Sequence, residues 1–217
     1  MRVLTRALAT LGLAALAGAT ALSAQNPGVG SYRFYVGASG GAMNFATNAQ
    51  SRGVIPMAGA NALITAQRVA LLMAMDVGLG SDEAATMADP IDGATRTVNF
   101  DHINRFYFEL VAYPLKSHIQ PFIGIGWGFQ TLSNLRVQGA FLDDAAYQAN
   151  QAQAEDLAST GFMQAVAGVE IRVGILSVFG SLSAATSPNK TDLIWSSVYT
   201  GQAGARISLG KAREDID

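Results

Sequence analysis

Seven charged residues sit at alternate positions within otherwise apolar segments: Arg33, Asp76, Arg105, Glu109, Glu170, Arg172 and Arg206. Four guanidinium groups and three carboxylates could neutralise one another in a confined space, where a charge persists only if it is paired and hydrogen-bonded. They predict a polar network rather than a reaction centre. The chain has no cysteine, which excludes thiol nucleophiles, disulfides and zinc-thiolate sites. Its two histidines are His102, next to Asp101, and His118, in a tight turn. Neither stands in a nucleophile-and-base pattern. Glycine clusters at Gly124-Ile125-Gly126-Trp127-Gly128 and Gly37-Ala38-Ser39-Gly40-Gly41 lie inside alternating segments, whereas a phosphate-cradling loop joins a strand to a helix. The acidic residues Asp82, Glu83, Asp89, Asp92, Asp101, Asp143, Asp144, Glu155, Asp156 and Asp192 outnumber Arg52, Arg96, Arg136 and Lys190 around them, but lack the spacing of a calcium loop. No catalytic residue, metal site or cofactor is predicted.

The seven charges are positioned by an alternation of period two, the signature of strands with one apolar face. Phe106, Phe108, Leu110 and Ala112 oppose Arg105, Tyr107 and Glu109; Met163, Ala165, Ala167, Val169 and Ile171 oppose Gln164, Gly168, Glu170 and Arg172. The same pattern runs through Tyr32 to Ala42, Val69 to Gly80, Ile123 to Gln130, Leu176 to Ser183 and Tyr199 to Leu209, and more weakly through residues 54–65. The count is eight strands. Short links near residues 66–68, 116–118 and 173–174 alternate with long polar ones at residues 46–53, 81–104, 133–160 and 188–196. Antiparallel hairpins strung up and down, with tight turns on one rim and long loops on the other, give this rhythm. Residues 143–158, rich in alanine, glutamine and acid, predict a short helix inside the third loop and the best place for a partner-binding surface.

The composition decides which face is outside. Of 217 residues, 50% are hydrophobic, only 14% are charged and 23 are glycine, against roughly 25% charged in an ordinary soluble domain. A soluble ligand-binding barrel would need a charged exterior, which seven residues cannot supply. The apolar faces are therefore assigned to lipid and the charged faces to the lumen, and closure satisfies every backbone group without an edge. Three successive inward glycines on the fifth strand leave space for Tyr107 and Phe162. Tyr32, Phe34, Tyr113 and Phe122 are expected at one membrane interface and Phe45, Phe106, Phe129, Trp195 and Tyr199 at the other. A net charge of −2 argues against binding nucleic acid.

The N-terminus fits export. Arg2 and Arg6 precede an apolar run at residues 7–22, followed by Ser23, Ala24 and the Asn26-Pro27 turn, the layout of a secretory signal peptide over residues 1–24. Its removal takes the formal charge from −2 to −4. Residues 25–210 are then the barrel and residues 211–217 a short C-terminal tail.

The chain resembles the eight-stranded outer-membrane barrels of Gram-negative bacteria, of the OmpA, OmpX and opacity-like kind. The resemblance spans residues 31–210 and is most specific in Gln202-Ala203-Gly204-Ala205-Arg206-Ile207-Ser208-Leu209. In it Gln202, Gly204, Ile207 and Leu209 are similar to the family's terminal assembly signal, with Leu209 where the family ends on an aromatic residue. The resemblance implies an all-β, antiparallel up-and-down transmembrane barrel in the bacterial outer membrane, with short periplasmic turns and long extracellular loops. It implies as partners outer-membrane lipid, lipopolysaccharide and, during insertion, the barrel assembly machinery, with any extracellular partner unspecified. It also implies a structural or surface-interaction role rather than an enzymatic one. A small porin-like channel is the alternative. A lipid-modifying enzyme is a further one and would demand a His/Ser pair near the outer rim, for which His102 and a loop serine are the candidates.

Overall fold

A computed structural model describes residues 32–115, 117–186 and 192–210. The predicted signal peptide and the predicted tail lie outside them. Eight long strands form the wall: β1 (Tyr32–Phe45), β2 (Gly53–Ala66), β3 (Val69–Ala88), β4 (Thr95–Ala112), β5 (Ile119–Ser133), β7 (Ser159–Val173), β8 (Leu176–Thr186) and β9 (Val198–Ser208). Each pairs antiparallel with its neighbours, β3 with β4 and β1 with β9, so the sheet closes on itself. A short β6 (Arg136–Gln138) adds to the outer part of β4, and one helix, α1 (Asp144–Leu157), follows it. The fold is the expected eight-stranded up-and-down barrel.

Two inner turns are two residues long, as the tightest hairpins are. Gln67 has φ 55° between Ala66 and Val69, and Gly174 has φ 60° between Val173 and Leu176. A positive φ at the first turn residue matches the strand twist; glycine adopts it freely, and glutamine does so under strain.

The faces fall as the alternation requires. Leu110, Ile123, Ile125, Trp127, Met163, Leu182 and Ile207 are exposed on the outside, while Asp76, Arg105, Tyr107, Glu109, Glu170 and Arg206 are buried inside. The outside is uneven. Over β3, β4, β5 and β7 it is bulky, with Leu71, Met75, Phe106 and Trp127. Around β1 and β9 it is small: Ala38 pairs with Ala205, Gly40 with Ala203 and Ala42 with Gly201. Inward glycines make room for large side chains on the next strand. A Cβ on Gly128 would stand 2.6 Å from Tyr107 Cβ, one on Gly126 2.7 Å from Glu109 Cγ, and one on Gly204 2.7 Å from Phe179 Cζ.

Three expectations are corrected. The second outer link is largely strand rather than loop, because β3 runs to Ala88 and β4 starts at Thr95. A bulge between Leu79 and Glu83, with Asp82 at φ 59°, lets the ladder restart above the barrel wall. Phe45, Tyr113 and Phe122 are not interfacial: all three are buried. Phe45 packs on Phe100 at 6.1 Å, and Tyr113 on Phe122 at 5.9 Å. Finally, the inner face is partly apolar, since Leu63, Leu72, Val111 and Val166 point inward and are buried. Eight strands enclose little more than their own side chains, and these residues fill what the charged ones leave.

Candidate functional site

The luminal charges divide into two clusters. The inner one centres on Glu170, whose Oε1 accepts from Arg172 Nε at 2.8 Å and from the Ser177 hydroxyl. Its Oε2 accepts from the Tyr113 hydroxyl at 2.6 Å and from Arg206 Nη1 at 3.4 Å. Arg206 also donates through Nε to Asn61 Oδ1 at 2.7 Å, and its guanidinium lies 3.7 Å from the Phe179 ring. Arg172 stacks 4.9 Å from Tyr113 and 5.3 Å from Tyr35. Glu170 is fully buried and neutralised by two cations, the geometry that makes a buried charge tolerable.

The outer cluster is joined by neutral groups. Asp76 faces Arg105 across the β3–β4 pair, but its Oδ2 accepts from the Tyr107 hydroxyl at 2.8 Å. Arg105 donates to Gln164 Oε1 at 2.8 Å, and Gln164 Nε2 donates to Glu109 at 2.5 Å. Gln164 thus stands between the opposite charges. The Arg105 guanidinium lies 4.2 Å from the Phe162 ring, a contact that replaces part of its lost hydration. Arg33, half-buried at the start of β1, stands opposite Thr65, whose hydroxyl donates to the Arg33 carbonyl at 3.5 Å. The other six charged residues therefore share one interior in two clusters, one centred on Glu170 and one bridged by Gln164. An internal cavity of about 10 Å³ is lined by Glu109, Tyr113, Gln202, Arg206 and apolar neighbours, about the room of one water.

Above the bulge the outer loops fold onto one another. Asp143 caps α1, accepting from the Ala146 amide at 2.8 Å, and Asp144 adds an acidic group to the first turn, where the helix dipole favours it. Ala154 and Ala158 pack with Ala85, Met87, Val98, Phe100, Val137, Leu193 and Ile194 in an apolar core. Gln153 donates to the Ala88 carbonyl at 3.1 Å, the Thr47 hydroxyl to the Ala84 carbonyl at 2.5 Å, and Ser196 to the Ala46 carbonyl at 3.2 Å. Segments from all four outer connections so form one cap over the mouth.

Ion pairs pin this cap. Arg136 bridges Asp101 at 2.7 Å and Asp82 at 3.0 Å across the bulge. Bonds from Arg136 hold the Asp101 carboxyl well below the usual carboxylate range; Asn99 and then Arg136 lower that of Asp82. Burial alone would raise Asp89, but bonds from the Ile91 amide, Arg96 and Asn150 outweigh it and hold its carboxyl at about 2. Arg96 joins Asp89 at 2.8 Å and Asp92 at 2.9 Å, donates to the Ala140 carbonyl and covers the Phe141 ring. Around it the tip exposes Ile91 at 56% and Leu142 at 87%.

His102 lies across from Ser133, whose hydroxyl accepts from Asn104 Nδ2 at 2.6 Å rather than from the imidazole. Among the described residues no group of three or more His, Cys, Asp or Glu could hold a metal. In the terminal segment Ile207 and Leu209 are exposed on the outer face, Gly204 lies under the Phe179 ring and Gln202 donates to the Tyr107 hydroxyl at 3.5 Å. Sequence reasoning placed Gln164, Tyr107 and Ser177 on the inner face but did not count them, nor Asn61, as network members. Their inward register on strands carrying the charges was the available signal.

This geometry is that of a closed eight-stranded antiparallel β-barrel with a structured cap at one end. The chain is similar in structure to Neisserial surface protein A (NspA), with a TM-score of 0.56 at 8% identity over 80% of this chain and 96% of that one. It also matches the N-terminal β-barrel domain of Pseudomonas aeruginosa OprF (TM-score 0.49, 9% identity, 83% and 100% coverage) and Pseudomonas aeruginosa OprG (TM-score 0.41, 8% identity, 83% and 93% coverage). No family model matches the sequence, and neither does any curated protein.

Proposed function

We propose that the protein resides in the bacterial outer membrane as a surface-interaction barrel, with the outer cap as its working part. The observation that carries this reading is the cap itself. Loops that only sealed a barrel would be short and polar. These build a capped helix, an added strand and an apolar core, and they leave Ile91 and Leu142 exposed around Arg96. A folded, apolar-cored cap of this kind supports a binding role better than a merely sealing one. The filled lumen supports the same choice over a channel, since Arg105, Tyr107, Glu109, Glu170 and Arg206 occupy the path an ion would take. Lipopolysaccharide and its bridging cations are the surroundings of the acidic cap, and the assembly machinery is the partner of Gln202, Gly204, Ile207 and Leu209 during insertion.

The absence of cysteine makes the test clean. A single Leu142→Cys variant is expected to react with a membrane-impermeant maleimide on intact cells. Gln67→Cys, in an inner turn, is expected to react only after lysis. Both proteins should fractionate with the outer membrane and show heat-modifiable gel migration. Recovery of soluble protein from the periplasm, or the reverse labelling pattern, rejects the proposal. Planar-bilayer recordings should show no unitary current.

A further inference from the structure

The small-residue region around β1 and β9 carries a groove near the outer rim. Its volume is about 350 Å³, and it is lined by Ala42, Asn44, Val54, Leu182, Tyr199 and Gly201, from β1, β2, β8 and β9. It is an open groove on the barrel wall rather than an enclosed cavity. The floor is made of small residues: Ala42 and Gly201 are register partners, and a Cβ on Gly201 would meet only Leu182 Cδ2, at 3.3 Å. Val54 and Leu182 form exposed apolar walls, at 67% and 71%. The groove therefore presents hydrocarbon-compatible surface to the lipid belt.

One end carries a fixed cation. Arg52 is exposed, donates through Nη1 to Asn44 Oδ1 at 2.8 Å, and holds its guanidinium 5.8 Å from the Tyr199 ring. Both of these partners line the groove. No ion pair to Arg52 is formed among the described residues, in contrast to Arg96, Arg136, Arg172 and Arg206. An apolar slot beside a positioned, uncompensated guanidinium matches an amphiphile with an apolar chain and an anionic oxygen-rich head, for which arginine is the preferred donor.

We infer that this groove seats one acyl chain of a phosphorylated membrane lipid, with Arg52 on the phosphate. The site rests on the membrane placement proposed above. Tyr199 stands at the junction of chain and head, the level at which tyrosine is enriched in membrane proteins.

The experiment uses the full barrel in detergent, titrated with dimyristoylphosphatidic acid or with dimyristoylglycerol and read by native mass spectrometry. The wild type is expected to retain the phosphatidic acid about tenfold better than the glycerol lipid, the factor of a charge-assisted bond near 1.4 kcal/mol. Arg52→Gln should remove that preference while keeping the weaker chain binding. Ala42→Leu, or Gly201→Val if the first disturbs folding, should fill the slot and abolish retention of both lipids. Equal retention by the wild type and the filled variants overturns the groove assignment. An unchanged preference in Arg52→Gln overturns the role of the guanidinium. Heat-modifiable migration of every variant separates these outcomes from failure of the barrel itself, which would reject the membrane reading instead.

Discussion

The barrel wall and the outer cap satisfy the same backbone and bury the same kinds of side chain in two different surroundings. In the wall, apolar groups face outward and ions face inward, where Glu170 is held by Arg172, Arg206, Tyr113 and Ser177. In the cap the order is reversed: Phe100, Val98 and Ala154 are inside, and the pairs of Arg136 and Arg96 are on the surface. The reversal occurs within β3 and β4, at the bulge between Leu79 and Glu83. There three residues of β3 stand opposite Asp101 alone, and this local irregularity re-aims the hairpin, so that the face buried in the cap is not the one that faces the barrel interior. Salt bridges consequently differ in weight: those in the wall are desolvated, while those in the cap are screened by water and salt.

The sharpest test of that contrast is Glu170→Ala. Leaving Arg172 and Arg206 buried without their carboxylate is expected to destabilise the barrel by about 3–5 kcal/mol, measured as a lowered urea midpoint for unfolding in micelles. A loss no greater than that of a surface carboxylate would erase the distinction. Next comes Phe100→Ala, which empties the junction against Phe45. The expected loss is about 3 kcal/mol of local stability, seen as faster hydrogen exchange in residues 83–100 while the lower strands keep their protection. Exchange rising equally in both regions would mean that cap and wall unfold as one unit.

Acid should separate the regions too. The Asp82, Asp89 and Asp101 carboxyls are held below their ordinary value of 3.8, with Asp89 at about 2. Groups with lowered folded values stabilise above their unfolded value, and this contribution fades as pH falls from about 4 towards 2. Pepsin is therefore expected to nick residues 80–100 and 134–158 much faster at pH 2 than at pH 4, leaving the wall intact. The smallest effect is assigned to Arg136→Ala: faster cleavage at the bulge, with no measurable change in the urea midpoint of the barrel. A shifted midpoint would show the surface pair bearing on the wall.

Much of this contrast was legible in the residues alone. Period-two alternation placed Glu109, Glu170 and Arg206 on one face of their strands, and the composition of residues 143–158 marked a helix that begins after Asp143 and ends before Ala158. What was illegible depends on contacts between distant strands. Tyr113 and Phe122 look like interfacial aromatics until Glu170, 57 positions from Tyr113, is found accepting its hydroxyl proton. Gln164 reads as one more polar inner residue, although it is the group that separates Arg105 from Glu109. The bulge was missed because three residues of β3, including the left-handed Asp82, sit opposite Asp101 alone, and alternation cannot be followed through such a mismatch.

The seam where the first strand meets the last carries a consequence for mechanics. Ala38, Gly40 and Ala42 face Ala205, Ala203 and Gly201 across it, and such short side chains offer few dispersion contacts to their neighbours. Cohesion along that line therefore comes from the backbone ladder rather than from interlocking side chains. Radial strain should therefore be resisted unevenly, most stiffly through the bulky half and least along that one longitudinal line.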